Sequence, residues 1–102
     1  MGIHWGEYTG HRSCRTTQQL ATRLRLAGIG DSATIRTFLT ALDGDYRDTL
    51  TFTPSQAEQI KHALYPAVRR MRWFTLPGWR RLAVLLANDA EHAAHNGGWT
   101  IE

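Results

Sequence analysis

Four side chains in this chain have the types and spacing of zinc ligands. His11 and Cys14 are separated by two residues, and so are His92 and His95. Two such pairs could complete a tetrahedral shell. Against a metal, this combination of ligands is an uncommon one. His92 and His95 also fall in the last turn of an expected helix, where an imidazolium is favoured by the helix dipole without any ion. The expectation is no bound metal and no cofactor, with His11, Cys14, His92 and His95 as the residues to inspect.

Nucleophilic chemistry has one candidate, Cys14. Arg12 and Arg15 flank it, which favours thiolate, and His11 lies about one helical turn away. An incidental thiol at a helix start fits the same residues. As the only cysteine, Cys14 can form no disulfide within the chain, and nothing here points to an oxidising compartment. The acidic run Asp43-Gly44-Asp45-Tyr46-Arg47-Asp48 lacks calcium-loop spacing and the closing bidentate Glu, and Arg47 would oppose a cation. Gly28-Ile29-Gly30 follows no strand and precedes no Lys, so it is neither a dinucleotide nor a P-loop fingerprint. No catalytic constellation emerges, and the chain reads as non-enzymatic.

The densest concentration of binding chemistry runs from Arg69 to Arg81. Arg69, Arg70, Arg72, Arg80 and Arg81 alternate there with Trp73, Phe74 and Trp79, across an expected loop between two helices. Guanidinium groups neutralise phosphates, and exposed rings stack on unpaired bases. The same residue types make protein-interface hot spots, because Trp and Arg bury much area at modest entropic cost. A third reading folds the rings inward and leaves the arginines solvated or paired with acids.

A helix-turn-helix is a further route to nucleic acid, with a helix through Leu20 and Leu24, a glycine turn, and Arg36 on the following helix. The register is wrong for it. Ala21 to Gly28 and Gly28 to Ile35 each span seven positions, longer than that motif uses. Any such motif here is degenerate.

The elements that must position these residues are legible from periodicity. Ile3 to Tyr8 alternates loosely and predicts a short strand with Gly6 as a bulge. Ser13 to Leu26 predicts a helix burying Leu20, Leu24 and Ala27, ended by Gly28 and Gly30. Asp31 or Ser32 can cap a second helix, whose Ile35, Phe38, Leu39 and Leu42 fall on one face. Thr49 to Thr53 is β-prone. Thr53 then caps a third helix with Pro54 in its first turn, burying Ala57, Ile60, Leu64, Val68 and Met71. Pro66 should kink or split it. Pro77 opens the last helix, with Trp79, Leu82, Ala83, Leu86 and Ala90 inward, and Gly97-Gly98 ends it. Trp99 to Glu102 adds an edge strand. The sum is an α+β fold: one domain over 1–102, with about four helices packed on a small antiparallel sheet of two to three short strands.

Three segments carry a family resemblance: Phe52-Thr53-Pro54-Ser55-Gln56-Ala57, Leu76-Pro77-Gly78-Trp79 and Asn96-Gly97-Gly98-Trp99-Thr100-Ile101. Over roughly residues 50–102, with support from Gly6 to Ser13, the chain resembles a family of small proteins of unknown function from actinobacteria and their phages. That family shares a strand, a Pro-started helix, a second helix after Leu/Met-Pro, and a terminal Gly-x-x-Trp. The resemblance implies a fold and no activity. The spacer Arg72-Trp73-Phe74-Thr75 is longer and more aromatic than the family pattern.

Composition bounds the rest. Hydrophobic residues make up 42% of the 102 and charged ones 21%, which is ordinary globular usage and not that of a disordered chain. The net charge of +3 is too small for a DNA-packaging protein. Eleven of the twelve cationic residues are arginine, with Lys61 the exception, as codon usage in a GC-rich genome would produce. Residues 1–10 lack the apolar core of a signal peptide, and the longest apolar run, from Leu82 to Asn88, is too short to span a bilayer. The expectation is a cytoplasmic interaction protein that binds another protein through the Arg/Trp segment and does not bind membrane. Nucleic-acid binding through the same patch or the degenerate helix-turn-helix is the alternative.

Overall fold

The computed structural model describes residues 2–44 and 49–102, so residues 45–48 of the acidic run lie outside the described residues. The elements are β1 (Gly2–His4), β2 (His11–Ser13), α1 (Cys14–Leu26), α2 (Ala33–Leu42), β3 (Leu50–Phe52), α3 (Pro54–Met71), α4 (Pro77–His95) and β4 (Trp99–Ile101). This is the expected α+β class. The strands form two antiparallel ribbons, β1 with β2 and β3 with β4. A reciprocal backbone pair joins the ribbons: the His4 N–H donates to the Glu102 carbonyl at 2.9 Å, and the Glu102 N–H to the His4 carbonyl at 3.1 Å.

Local chemistry explains the helix starts. Ser13, Ser32 and Thr53 each accept the backbone N–H three residues on, from Thr16, Ile35 and Gln56. At Thr53 the Gln56 side chain reaches back to the cap N–H at 2.9 Å and completes a capping box. Pro66 does not split α3, which runs unbroken from Pro54 to Met71. Proline denies a hydrogen bond to the carbonyl four residues earlier, here that of His62, a residue on the exposed side of α3. Packing against α4, the largest helix–helix contact in the fold, outweighs what remains of the penalty.

The core lies where the helices meet the ribbons. Leu20 and Leu24 of α1, Phe38 and Leu42 of α2, Ile60, Leu64 and Met71 of α3, and Leu86 of α4 are fully buried. Trp5 and Trp99 close it from the ribbon side. Their ring centroids are 6.5 Å apart, with Phe38 and Phe52 packed edge-on or tilted against them. The Trp99 Nε1–H donates to the Trp5 carbonyl at 2.6 Å, so this pair fixes orientation as well as burying area. Gly98, at φ +120°, brings the chain so close to Phe52 that a Cβ there would lie 2.8 Å from its carbonyl oxygen.

The expected strand from Ile3 to Tyr8 stops at His4, because residues 5–10 form a loop held by a buried carboxylate. Asp89 of α4, 5% exposed, accepts the Thr9 N–H at 2.8 Å and the Tyr8 N–H at 3.1 Å. Gly6 sits directly over it at φ +150°, where a Cβ would lie 2.3 Å from the Asp89 oxygen. Asp89→Ala orphans the buried Thr9 N–H and the part-buried Tyr8 N–H and should cost about 2–4 kcal/mol. Asp89→Asn keeps an acceptor and should cost roughly half of that. Gly6→Ala, which needs both a clash and a disfavoured φ, should cost at least about 2 kcal/mol. Urea denaturation followed by tryptophan fluorescence ranks the three variants.

Candidate partner interface

The segment from Arg69 to Arg81 turns the corner between α3 and α4, and its residues divide into a rooted base and a bare tip. At the base, the Arg70 guanidinium donates to the carbonyls of Ala27 and, at 3.2 Å, Gly28, satisfying the exposed end of α1. Arg70 is thereby a structural clamp rather than a free cation. Trp79, half-buried, carries the Arg23 guanidinium over its ring at 4.2 Å. These two contacts tie α1 to both arms of the corner.

The tip is ordered through its backbone. The Trp73 N–H donates to Arg70, and the Phe74 and Thr75 N–H groups both donate to Met71, at 2.9–3.2 Å. Of its side chains, the Thr75 hydroxyl donates to the Leu76 carbonyl at 3.0 Å, while the large apolar ones stand out in solvent. Trp73 is 80% exposed, Leu76 72% and Phe74 48%, and Arg72 lies over the Trp73 ring at 5.3 Å. The reading that folds the rings inward is therefore met only by Trp79, and only in part. Arg69, Arg72 and Arg81 are exposed and Arg80 is half-buried, and among the described residues none of them pairs with a carboxylate.

Two cations elsewhere do meet carboxylates. Arg25 meets Asp43 at 2.6 Å, a hydrogen bond that raises the guanidinium pKa. Lys61 meets Glu58 at 3.0 Å, and that hydrogen bond raises the ammonium pKa and lowers the carboxylate's. The contrast has a simple origin in the chain. Residues 8–30 and 59–88 contain no Asp or Glu, yet hold ten of the twelve Arg and Lys residues. Folding places the end of the second stretch against the first.

Where they meet, an open groove of about 510 Å³ runs between α1 and α4. Leu76, Trp79, Leu82 and Leu85 are among the residues of its apolar wall, and Arg12 and Arg81 stand at it with Thr16. Arg12 is aimed there by its Nε–H, which donates to the Thr9 carbonyl at 3.0 Å, next to the N–H that Asp89 holds. The sequence reading missed the groove, because Arg12 and Thr16 are distant in the chain from residues 76–85.

Leu76 is the oddest residue of the corner. It occupies the N-cap of α4, where it supplies no side-chain hydrogen bond, while the other three helices among the described residues begin with Ser or Thr caps. An apolar residue at that position gives up about 1 kcal/mol relative to Ser or Asp.

The remaining candidates are not brought together. His11 packs tilted against His4 with ring centroids 5.7 Å apart, while His92 packs edge-on to Tyr8 at 6.4 Å and faces Asn96. Among the described residues no group of three or more His, Cys, Asp or Glu is gathered that could hold a metal ion. Arg36 is exposed on α2, but its neighbours Thr37 and Thr40 donate their hydroxyls to the Ala33 and Arg36 carbonyls, leaving little on that face to read bases. No helix among the described residues is long and apolar enough to cross a membrane.

The tip and the base should therefore respond differently to substitution. Trp73→Ala should change stability by less than about 0.5 kcal/mol, and Trp79→Ala should cost about 1–3 kcal/mol. Leu76→Ser should stabilise the protein by about 0.5–1 kcal/mol by capping α4. Thermal unfolding of the three variants checks all of these signs.

No curated protein and no solved structure matches this chain. One family model does, over residues 6–102, which includes the N-terminal loop, the groove and the whole corner. This chain belongs to the family of that model, the domain of unknown function DUF7739.

Proposed function

We propose that this domain is a non-enzymatic interaction module that binds another protein through the corner between α3 and α4. The observation carrying this reading is the exposure of Trp73 and Leu76, at 80% and 72%, in a protein whose Trp5 and Trp99 are buried. A leucine in water at a helix cap contributes neither core burial nor a capping bond. It can contribute to a partner's interface, where aromatic, aliphatic and arginine side chains dominate binding energy. Arg69, Arg72, Arg80 and Arg81 surround it and favour a partner with acidic groups.

Nucleic-acid binding through the same residues is the second reading, and the acid-free stretches favour it. Two features weigh against it. Arg23 covers a face of Trp79, so that ring is no open platform for a base, and the exposed aliphatic Leu76 has nothing to offer a phosphate backbone.

The test is capture on immobilised protein, with and without nuclease. The source of partners follows the resemblance to small actinobacterial and phage proteins: an actinobacterial cytoplasmic lysate. A defined protein should be retained through nuclease treatment and lost with Trp73→Ala or Arg72→Ala. Retention of nucleic acid, falling steeply with salt, would replace this reading with the second one.

A further inference from the structure

The groove between α1 and α4 shares Leu76 and Arg81 with the exposed corner and adds Arg12, Trp79 and Leu85 to them. Its wall is formed by Leu76, Trp79 and Leu85, and Arg12 and Arg81 supply its charge. At about 510 Å³ it accommodates a few side chains and not a folded surface. Both walls come from the acid-free stretches 8–30 and 59–88, so nothing in either segment neutralises its field. Near Pro77 a smaller notch of about 240 Å³ lies against Arg80, Arg81 and Val84, extending the same cationic and apolar character along α4.

We infer that this groove receives a short acidic segment of the protein partner. Carboxylates of the segment meet Arg12 and Arg81, and an apolar side chain between them packs on Leu76, Trp79 and Leu85. The inference rests on the protein-binding reading in taking the occupant to be a polypeptide, and it adds the chemical class of what is bound. Charge complementarity selects an anion, since a guanidinium fork pairs bidentately with a carboxylate. The apolar wall selects among anions: a leucine or phenylalanine gains by leaving water there, whereas a sugar–phosphate backbone does not. Arg23, already stacked on Trp79, stiffens the wall, so little ordering is left for the moment of binding.

The experiment is a fluorescence-anisotropy titration at low salt with three labelled probes. They are a short peptide alternating Asp and Glu with Leu and Phe, a peptide of equal charge with Ser in place of the apolar residues, and an oligothymidylate. The first should saturate with a Kd on the order of 10 µM, and the second should bind at least about tenfold more weakly. Arg81→Glu should weaken the first about tenfold, and Leu76→Ser should weaken it several-fold although it raises stability, which excludes misfolding as the cause. Thr37→Ala, on the exposed side of α2 and not among the groove residues, should leave it within about twofold. Three results would overturn the inference: no binding of the first peptide, equal binding of the serine peptide or the oligothymidylate, or binding indifferent to Arg81→Glu.

The two proposals fail separately. Trp73-dependent capture of a protein without peptide binding in the groove removes the inference and leaves the interaction reading. Peptide binding lost on Arg81→Glu, without Trp73-dependent capture, keeps the groove and removes the tip.

Discussion

Asp89 lies in the middle of α4, enclosed by the N-terminal loop it holds, and its two oxygens accept backbone N–H groups from Tyr8 and Thr9. A carboxylate in that position is tolerable only while those donors stay in place, because burial without hydrogen bonds is costly. The loop in turn can approach only because residue 6 has no side chain. The consequence reaches the surface. Thr9, held by its N–H, offers its carbonyl to Arg12. Arg12 thereby stands at the groove opposite α4. One buried acid thus determines where a cation of the candidate interface stands.

Arginine does the corresponding work at the other end. Arg70 closes the carbonyl end of α1 from α3, and Arg23 of α1 lies over Trp79 of α4. Both use the guanidinium as a planar bracket between helices, a role that the point charge of lysine fills poorly. The arginine excess is therefore not uniform in meaning. Arg25 is neutralised by Asp43, Arg70 and Arg23 are structural, and Arg69, Arg72 and Arg81 stand exposed without carboxylate partners among the described residues. Composition alone cannot separate these roles, because each depends on which helix end or ring comes within reach.

What could be read from the sequence was local. Stripes at helical spacing, Ser or Thr caps, and Pro54 and Pro77 at helix starts each involve neighbours within a turn, so periodicity and capping chemistry suffice to find them. Pro66 shows the limit of that logic: the local rule allows a kink or a split, and with α3 packed on α4 the helix is not split. Asp89 shows the other limit. Its partners are backbone N–H groups 80 and 81 positions away, and no residue type marks them. For the tip, a signal was present. Trp73 follows Met71 by two residues and so leaves the buried face of α3, whereas Trp79 shares the stripe of Ala83 and Leu86. Spacing sorts these two tryptophans correctly in direction, although burial of Trp79 is only partial because Arg23 takes the place of further core against its ring.

The distribution of stabilising features argues that the corner answers to something other than folding. Three helices begin with side-chain caps, and the ribbon side is closed by a tryptophan pair with its own hydrogen bond. At the start of α4 the same protein forgoes a cap and exposes a leucine beside an unburied tryptophan. For a domain of this size, whose total stability is of order 10 kcal/mol, a sacrifice near 1 kcal/mol is not negligible. Drift could leave one such residue in place. It does less well at explaining why the uncapped leucine, the exposed ring and four arginines without carboxylate partners among the described residues coincide at one corner, bordering a groove whose walls carry no acid. Together they form a surface that is apolar and cationic at once. Solvent satisfies such a surface poorly, and a segment that is apolar and acidic at once would satisfy it well.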